Sequence, residues 1–235
     1  MLRAFADLGF RWKIALPILL LAVLLVTMGF LGMRGITQVA DSSTKLTNRF
    51  LPGISLLLNA DRDLYQAFVA ERSLLDEAVG ERVAALTDAH MENLQQAYDR
   101  VHKFAAMQPG SEAMQLVGQF DAGFERWKAT SQQVLKLAAS DPQAASVLSF
   151  TTSEEQFEAM RTAIDKLGEM DDQAANAEGL AAIKLGETLS WQQGLIVAIG
   201  LVVCLVLVVG VPILVTGPLH SLLNRIEQIA DGDGD

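Results

Sequence analysis

Residues Ile14 to Met33 read IALPILLLAVLLVTMGFLGM, and no charged residue interrupts them. The run matches the roughly 20 residues that a helix needs to cross the hydrocarbon core of a bilayer. A second uncharged stretch lies between Glu187 and Arg225, with its apolar centre, GLIVAIGLVVCLVLVVGVPILV, at Gly194 to Val215. Backbone amides in lipid must be satisfied within their own segment, so both runs are expected to be helices. The composition agrees: 51% of the 235 residues are hydrophobic and the mean hydropathy is +0.28, which is too apolar for an ordinary soluble domain.

The first run exceeds the roughly 7–15 residues of a signal-peptide core. A cleavage site ending at Ala40 would place bulky Gln38 where a small residue is wanted, so a retained anchor is expected. Arg3, Arg11 and Lys13 outweigh Asp7 in the short N-terminal tail, which predicts a cytoplasmic N-terminus. Trp12 and Trp191 stand at the start of each run, where interfacial anchors against membrane lipid belong. From Gly35 to Gln193 there are 13 Lys+Arg and 23 Asp+Glu, and so acidic a surface argues against nucleic acid as a partner. The only cysteine is Cys204, inside the second run. The segment between the runs therefore has no disulfide and depends on its core.

That segment carries scarcely any strand signal, and its few Gly and Pro residues divide it into four helices. The first continues from the membrane through Leu46, Phe50, Ile54, Leu57, Leu64, Phe68 and Leu75, with a bend expected at Pro52-Gly53. Gly80 marks a reversal, and the second helix runs from Glu81 to about Met107, ending at Gln108-Pro109-Gly110. Ser111 is the expected N-cap of the third helix, which reaches about Ala139 through Phe120, Phe124 and Trp127. Asp141-Pro142 reads as an N-cap followed by proline at the first helical position, and Ser153 is a second candidate start for the fourth helix. The expected fold class is all-α: two transmembrane helices flanking an antiparallel up-down-up-down four-helix bundle. The expected division is a tail over 1–13, spans over 14–33 and 194–215, a sensor bundle over 34–193 and a relay segment over 216–235.

After Val215 the chain reads TGPLHSLLNRIEQIADGDGD. Pro218 suits the first turn of a new helix, and Leu219, Leu222, Ile226 and Ile229 follow at coiled-coil spacing. This segment resembles the opening helix of a HAMP domain, down to its Ile229-Ala230-Asp231-Gly232-Asp233 ending. With that ending on a two-span helical sensor, the chain resembles the N-terminal half of a methyl-accepting chemotaxis protein. The run Asn59-Ala60-Asp61-Arg62-Asp63-Leu64-Tyr65-Gln66-Ala67, with Ala70-Glu71-Arg72 after it, is similar to first-helix sequences in that family. Family members usually carry an aromatic anchor at the cytoplasmic end of the second span, whereas Val209 to Gly217 contains none.

The resemblance implies a two-pass receptor of a bacterial inner membrane, with a periplasmic sensor and a HAMP relay controlling chemotaxis. It also implies a homodimer, and kinase and coupling proteins as partners of a cytoplasmic part beyond Asp235. The input half of a sensor histidine kinase or a diguanylate cyclase is the alternative, because these too use helical sensors and HAMP relays. In the family's aspartate and serine receptors, arginines on the first helix and a threonine-bearing stretch of the fourth hold the ligand. The matching positions are Arg62, Arg72, Phe150, Thr151 and Thr152. Guanidinium groups suit carboxylates through their bidentate fork, so an amino acid or organic acid is the expected ligand, or a periplasmic binding protein the expected partner. Each arginine also has carboxylate neighbours, Asp61 and Asp63 for Arg62 and Glu71 and Asp76 for Arg72, and surface ion pairs would account for both. Asp61, Asp63 and Glu71 raise a cationic ligand as a rival. No residue spacing suggests a catalytic site, metal site or cofactor: the histidines are scattered and no phosphate loop appears.

Overall fold

The computed structural model describes residues 10–108, 110–230 and 232, with the backbone alone at 10, 13, 77–79, 211, 214–219, 221, 222, 229 and 230. All regular structure among the described residues is helical. Helix α1 spans Phe10–Lys45, and a wide π-helical turn over Leu46–Phe50 joins it to α2, Leu51–Ser73. A 3-10 segment, Glu77–Arg82, leads into α3, Val83–Met107, which is followed by α4, Ser111–Ser140. The short α5, Pro142–Leu148, passes through a second π-helical turn, Ser149–Ser153, into α6, Glu154–Ala230.

The bend expected at Pro52-Gly53 takes the form of the first wide turn. Proline at 52 has no N–H to give the carbonyl four residues back, and the ladder reopens to a five-residue step. Leu51 N–H accordingly donates to the carbonyl of Leu46. Gly80 makes the expected reversal at φ 46°, a left-handed backbone that glycine adopts without steric cost. Gly110, in extended conformation, is the N-cap of α4, one residue before Ser111. Asp141 caps α5 as expected, accepting from the backbone N–H of Ala144 at 3.1 Å, with Pro142 in the first turn. Ser153 lies within a wide turn and starts no separate helix.

The chain divides into two compact units. The unit over 41–180 is the four-helix bundle of α2, α3, α4 and the first part of α6, preceded by α5. Its core joins Leu57 and Leu64 of α2, Leu94, Val101 and Phe104 of α3, Phe120, Phe124 and Trp127 of α4, and Phe157 and Leu167 of α6. The aromatic run at Phe120, Phe124 and Trp127 is thus core packing, which its helical spacing allowed. Gly123 brings α4 against α6, since a Cβ there would stand 3.2 Å from the Cα of Met160.

The other unit takes in residues 1–40 and 181–235. Both of its helices are long and apolar enough to cross a membrane. Their apolar side chains face outward, with Val26 74% and Val208 73% exposed. Trp12 and Trp191 are exposed as well. Gly32 and Gly35 let the two helices approach within the one chain, where a Cβ at Gly35 would come within 2.6 Å of Leu189 Cδ1. Proline 218, expected to open a new helix, lies inside α6, whose backbone stays helical to Ala230. Helical φ is the angle proline already holds, so the helix continues past it at the cost of one missing donor and a crowded carbonyl one turn back. The side chains of Pro218, Leu219, Leu222 and Ile229, with Asp231 and Asp233, lie outside the described residues. Ile226 is exposed.

Candidate ligand site

The last turns of α2 present Phe68 with Glu71 and Arg72 three and four residues on, so that both neighbour it on the helix surface. Phe68 and Glu71 are buried and Arg72 is half-buried. Opposite them is the wide turn Ser149–Ser153. Ser149 and Ser153 are both fully buried, and both hydroxyls donate to Glu71, to Oε1 at 2.6 Å and to Oε2 at 3.0 Å. Trp127 Nε1 donates to the Ser153 hydroxyl at 3.1 Å. Glu71 itself is fully buried, and a buried carboxylate is stable only when its oxygens are paired in this way. The acceptor on α2 thereby pins the two serines that bracket Phe150, Thr151 and Thr152.

The Arg72 guanidinium lies 4.4 Å from the ring centroid of Phe68 and 4.1 Å from that of Phe150. Its Nη2 donates to Glu154 Oε2 at 2.9 Å, and the Glu154 side chain is 47% exposed. Arg72 Nε is buried without a hydrogen-bond partner among the described residues. The result is a cation in contact with two rings, with a half-exposed carboxylate as its counter-ion. Such a guanidinium is preorganised to take a planar carboxylate.

Of the positions singled out from sequence, the structure brings Arg72 and Phe150 into contact. Thr151 and Thr152 are exposed on the same wide turn, and the Thr151 hydroxyl donates to the Val147 carbonyl. Arg62 stands ten residues before Arg72 on α2 and pairs with Asp63 at 2.7 Å. The neighbouring acids are engaged too. Asp63 is fully buried and also meets Arg100 Nε at 3.0 Å, while Asp61 accepts twice from Arg161, at 2.7 and 3.2 Å. That pairing raises the Arg161 pKa above its usual value, and Tyr65 stacks on the guanidinium at 4.2 Å. Sequence reasoning passed over Glu71 as an anchor, and over Ser149, Ser153 and Glu154. The one available signal was two serines four residues apart around the threonines, which places them on a single helical face.

Beneath the site, His90 is fully buried. Its Nδ1 lies 2.9 Å from the Ala67 carbonyl and its Nε2 3.2 Å from the Ser131 hydroxyl. A carbonyl can only accept, so Nδ1 carries the proton and Nε2 accepts from Ser131 in the neutral ring. Burial lowers the His90 pKa, against the opposing effects of the Ala67 carbonyl and Glu71. The unfolded chain therefore takes up the extra proton first, so the stability contribution is complete above about pH 6.5 and is lost as pH falls. Thermal unfolding of the wild type is expected to show this acid limb, and H90Q to flatten it. An unchanged limb in H90Q would assign it to other groups.

The chain thus combines two helices of membrane-crossing length with a four-helix bundle in which an arginine meets two rings, the make-up of a sensory module. Residues 7–185 match a family described as a four helix bundle sensory module for signal transduction, and the chain belongs to that family, the sensory module of methyl-accepting chemotaxis proteins. The match takes in the first apolar helix as well as the bundle. No curated protein matches the chain.

Proposed function

We propose that the chain is the sensing half of a two-pass chemoreceptor in a bacterial inner membrane. The N-terminus is cytoplasmic and the bundle periplasmic, and the bundle binds a small carboxylate, an amino acid or an organic acid. The observation that carries the reading is Arg72, in contact with Phe68 and Phe150 and neutralised by a carboxylate, Glu154, that a ligand can displace. An incoming carboxylate takes Arg72, and for an amino acid the freed Glu154 receives the ammonium group. Thr151 and Thr152 lie close enough in sequence to Phe150 to add hydroxyls. Binding pulls on the wide turn that opens α6, and α6 is one helix as far as Ala230, so the displacement reaches the HAMP-like relay segment. Calorimetric titration of the full chain in detergent against amino acids and dicarboxylates tests this. A carboxylate is expected to bind wild type and to lose at least tenfold in affinity in R72A; undiminished binding in R72A rejects the site.

A cationic solute is the second reading, and one groove favours it. Between α2 and α6 a cleft of about 400 Å³ has Asp61, Asp165, Glu169 and Asp172 along an apolar floor that includes Leu57 and Ile164. A linear diamine in the same titration covers that case. The sensor of a histidine kinase or diguanylate cyclase would share every feature of the bundle, and the residues that follow Asp235 in the gene distinguish these outputs.

We infer a homodimer from α2. Leu51, Leu58, Tyr65 and Val69 are exposed along one side of it, and the first three recur at intervals of seven, the spacing of a coiled-coil seam. L58E is expected to abolish association of the full chain in analytical ultracentrifugation while leaving helix content unchanged. A dimer that survives L58E would place the seam elsewhere.

A further inference from the structure

At the end of the bundle opposite the Arg72 cluster, a buried glutamine lies between two charged side chains. Gln108, in extended conformation at the end of α3, accepts from Arg49 Nη2 at 2.7 Å and donates through Nε2 to Asp171 Oδ1 at 2.7 Å. Asp171 is fully buried and Gln108 is 8% exposed. Two complementary atoms are left over. Arg49 Nε, a donor, and Asp171 Oδ2, an acceptor, are both buried without a hydrogen-bond partner among the described residues. Glycine at 53 makes the close packing possible, since a Cβ there would stand 3.0 Å from Asp171 Oδ2 and 3.2 Å from the Phe104 ring. Arg49 itself belongs to the wide turn Leu46–Phe50, where the helical ladder is already opened and a side chain can be redirected at low cost.

We propose that Arg49, Gln108 and Asp171 form a proton-operated latch with two hydrogen-bonding states. With Asp171 protonated, Gln108 bridges the pair as observed, because a neutral carboxyl tolerates one unpaired oxygen far better than a carboxylate does. With Asp171 ionised, Arg49 Nε pairs directly with Oδ2 and Gln108 turns out to solvent. The direct pair satisfies both leftover atoms and draws α6 towards the wide turn. Burial pushes the Asp171 carboxyl above its usual range, in the direction that favours the bridged state. Hydrogen bonding from Gln108 and the charge of Arg49 oppose that rise, and Asp172 on the same helix adds to it. The Arg49 charge also reaches Glu178 on α6, whose pKa is lowered chiefly by the Ser42 hydroxyl and also by Lys45. Gly53 and Phe104, packed against the carboxyl from α2 and α3, carry no charge. The latch is independent of the Arg72 site and gives the receptor a second input, external acidity.

The test uses the full chain in lipid nanodiscs, with Cys204→Ser and spin labels at Thr47→Cys and Ala174→Cys, both exposed positions. Pulsed electron resonance measures the label separation from about pH 4 to 8, the window open to a raised carboxyl. Wild type is expected to exchange between two distance populations, the shorter at high pH. D171N, isosteric with the protonated side chain, is expected to keep the longer population throughout. Q108A, which removes the bridge, is expected to keep the shorter one. Circular dichroism verifies that each variant is folded, and either variant alone is decisive. A pH-independent distribution in wild type, or a pH step that persists in D171N or Q108A, overturns the proposal.

Discussion

W127A is expected to lower the stability of the bundle by about 3–5 kcal/mol, the cost of truncating a large buried aromatic and leaving a cavity behind it. Trp127 heads the fully buried side chains by volume, and it joins all four helices of the bundle. Its ring lies 6.3 Å from Phe68 of α2, 6.3 Å from His90 of α3 and 5.0 Å from Phe157 of α6. Its Nε1 also holds the Ser153 hydroxyl, so the substitution removes packing and a buried hydrogen bond together. Phe157 and Phe68 are themselves stacked at 4.3 Å, which limits how far they can collapse into the space. For a bundle of this size the loss corresponds to a fall of about 10 °C in the unfolding midpoint. Urea unfolding followed by circular dichroism measures it, and a loss under about 1 kcal/mol would show that the site relaxes freely.

E71A is expected to cost about 3 kcal/mol and, at the proposed site, to weaken ligand binding severely, although Glu71 is fully buried. Each serine bond to the carboxylate is charge-assisted, a type worth about 1.5–3 kcal/mol, and part of that gain is offset by desolvating the charge. Without the acceptor, Ser149 and Ser153 lose the partner that turns them inward. The wide turn then relaxes and Phe150 leaves the Arg72 face. E71Q keeps one carbonyl acceptor and is expected to fall between wild type and E71A in both stability and affinity. Binding that survives E71A at wild-type strength would separate the serine anchor from recognition.

The all-helical fold was legible because its signals are local. Apolar runs of membrane length, three- and four-residue spacing, and punctuation at Gly80, Gln108–Gly110 and Asp141-Pro142 each act within a few residues. The wide turns were not legible, since both read as ordinary helix in composition. Pro52 hinted at a bend but not at a five-residue step, and Ser153 looked like a cap because serine serves both purposes. At the candidate site, Arg72 and Phe150 came from resemblance, while Glu154 is 82 positions from Arg72 in the chain. No periodicity reports a contact of that range. Asp63 is instructive in the same way: among Asp61, Arg62 and Asp63 the sequence shows a solvated charged face, yet Asp63 is fully buried against Arg100 of the next helix.

Each of the wide turns, Leu46–Phe50 and Ser149–Ser153, holds one residue more than a regular helix has room for. A surplus of one residue can be removed. Deleting a single position from either turn would heal the ladder, returning its five-residue step to four and leaving the helix on both sides in its present phase. In the second turn the deletion shortens the arc that carries Phe150, Thr151 and Thr152 between Ser149 and Ser153, while both serines stay on the face that meets Glu71. The surface around Arg72 is thus encoded as much in the count of residues as in their identity, and single-codon insertions or deletions offer a lineage a way to reshape it.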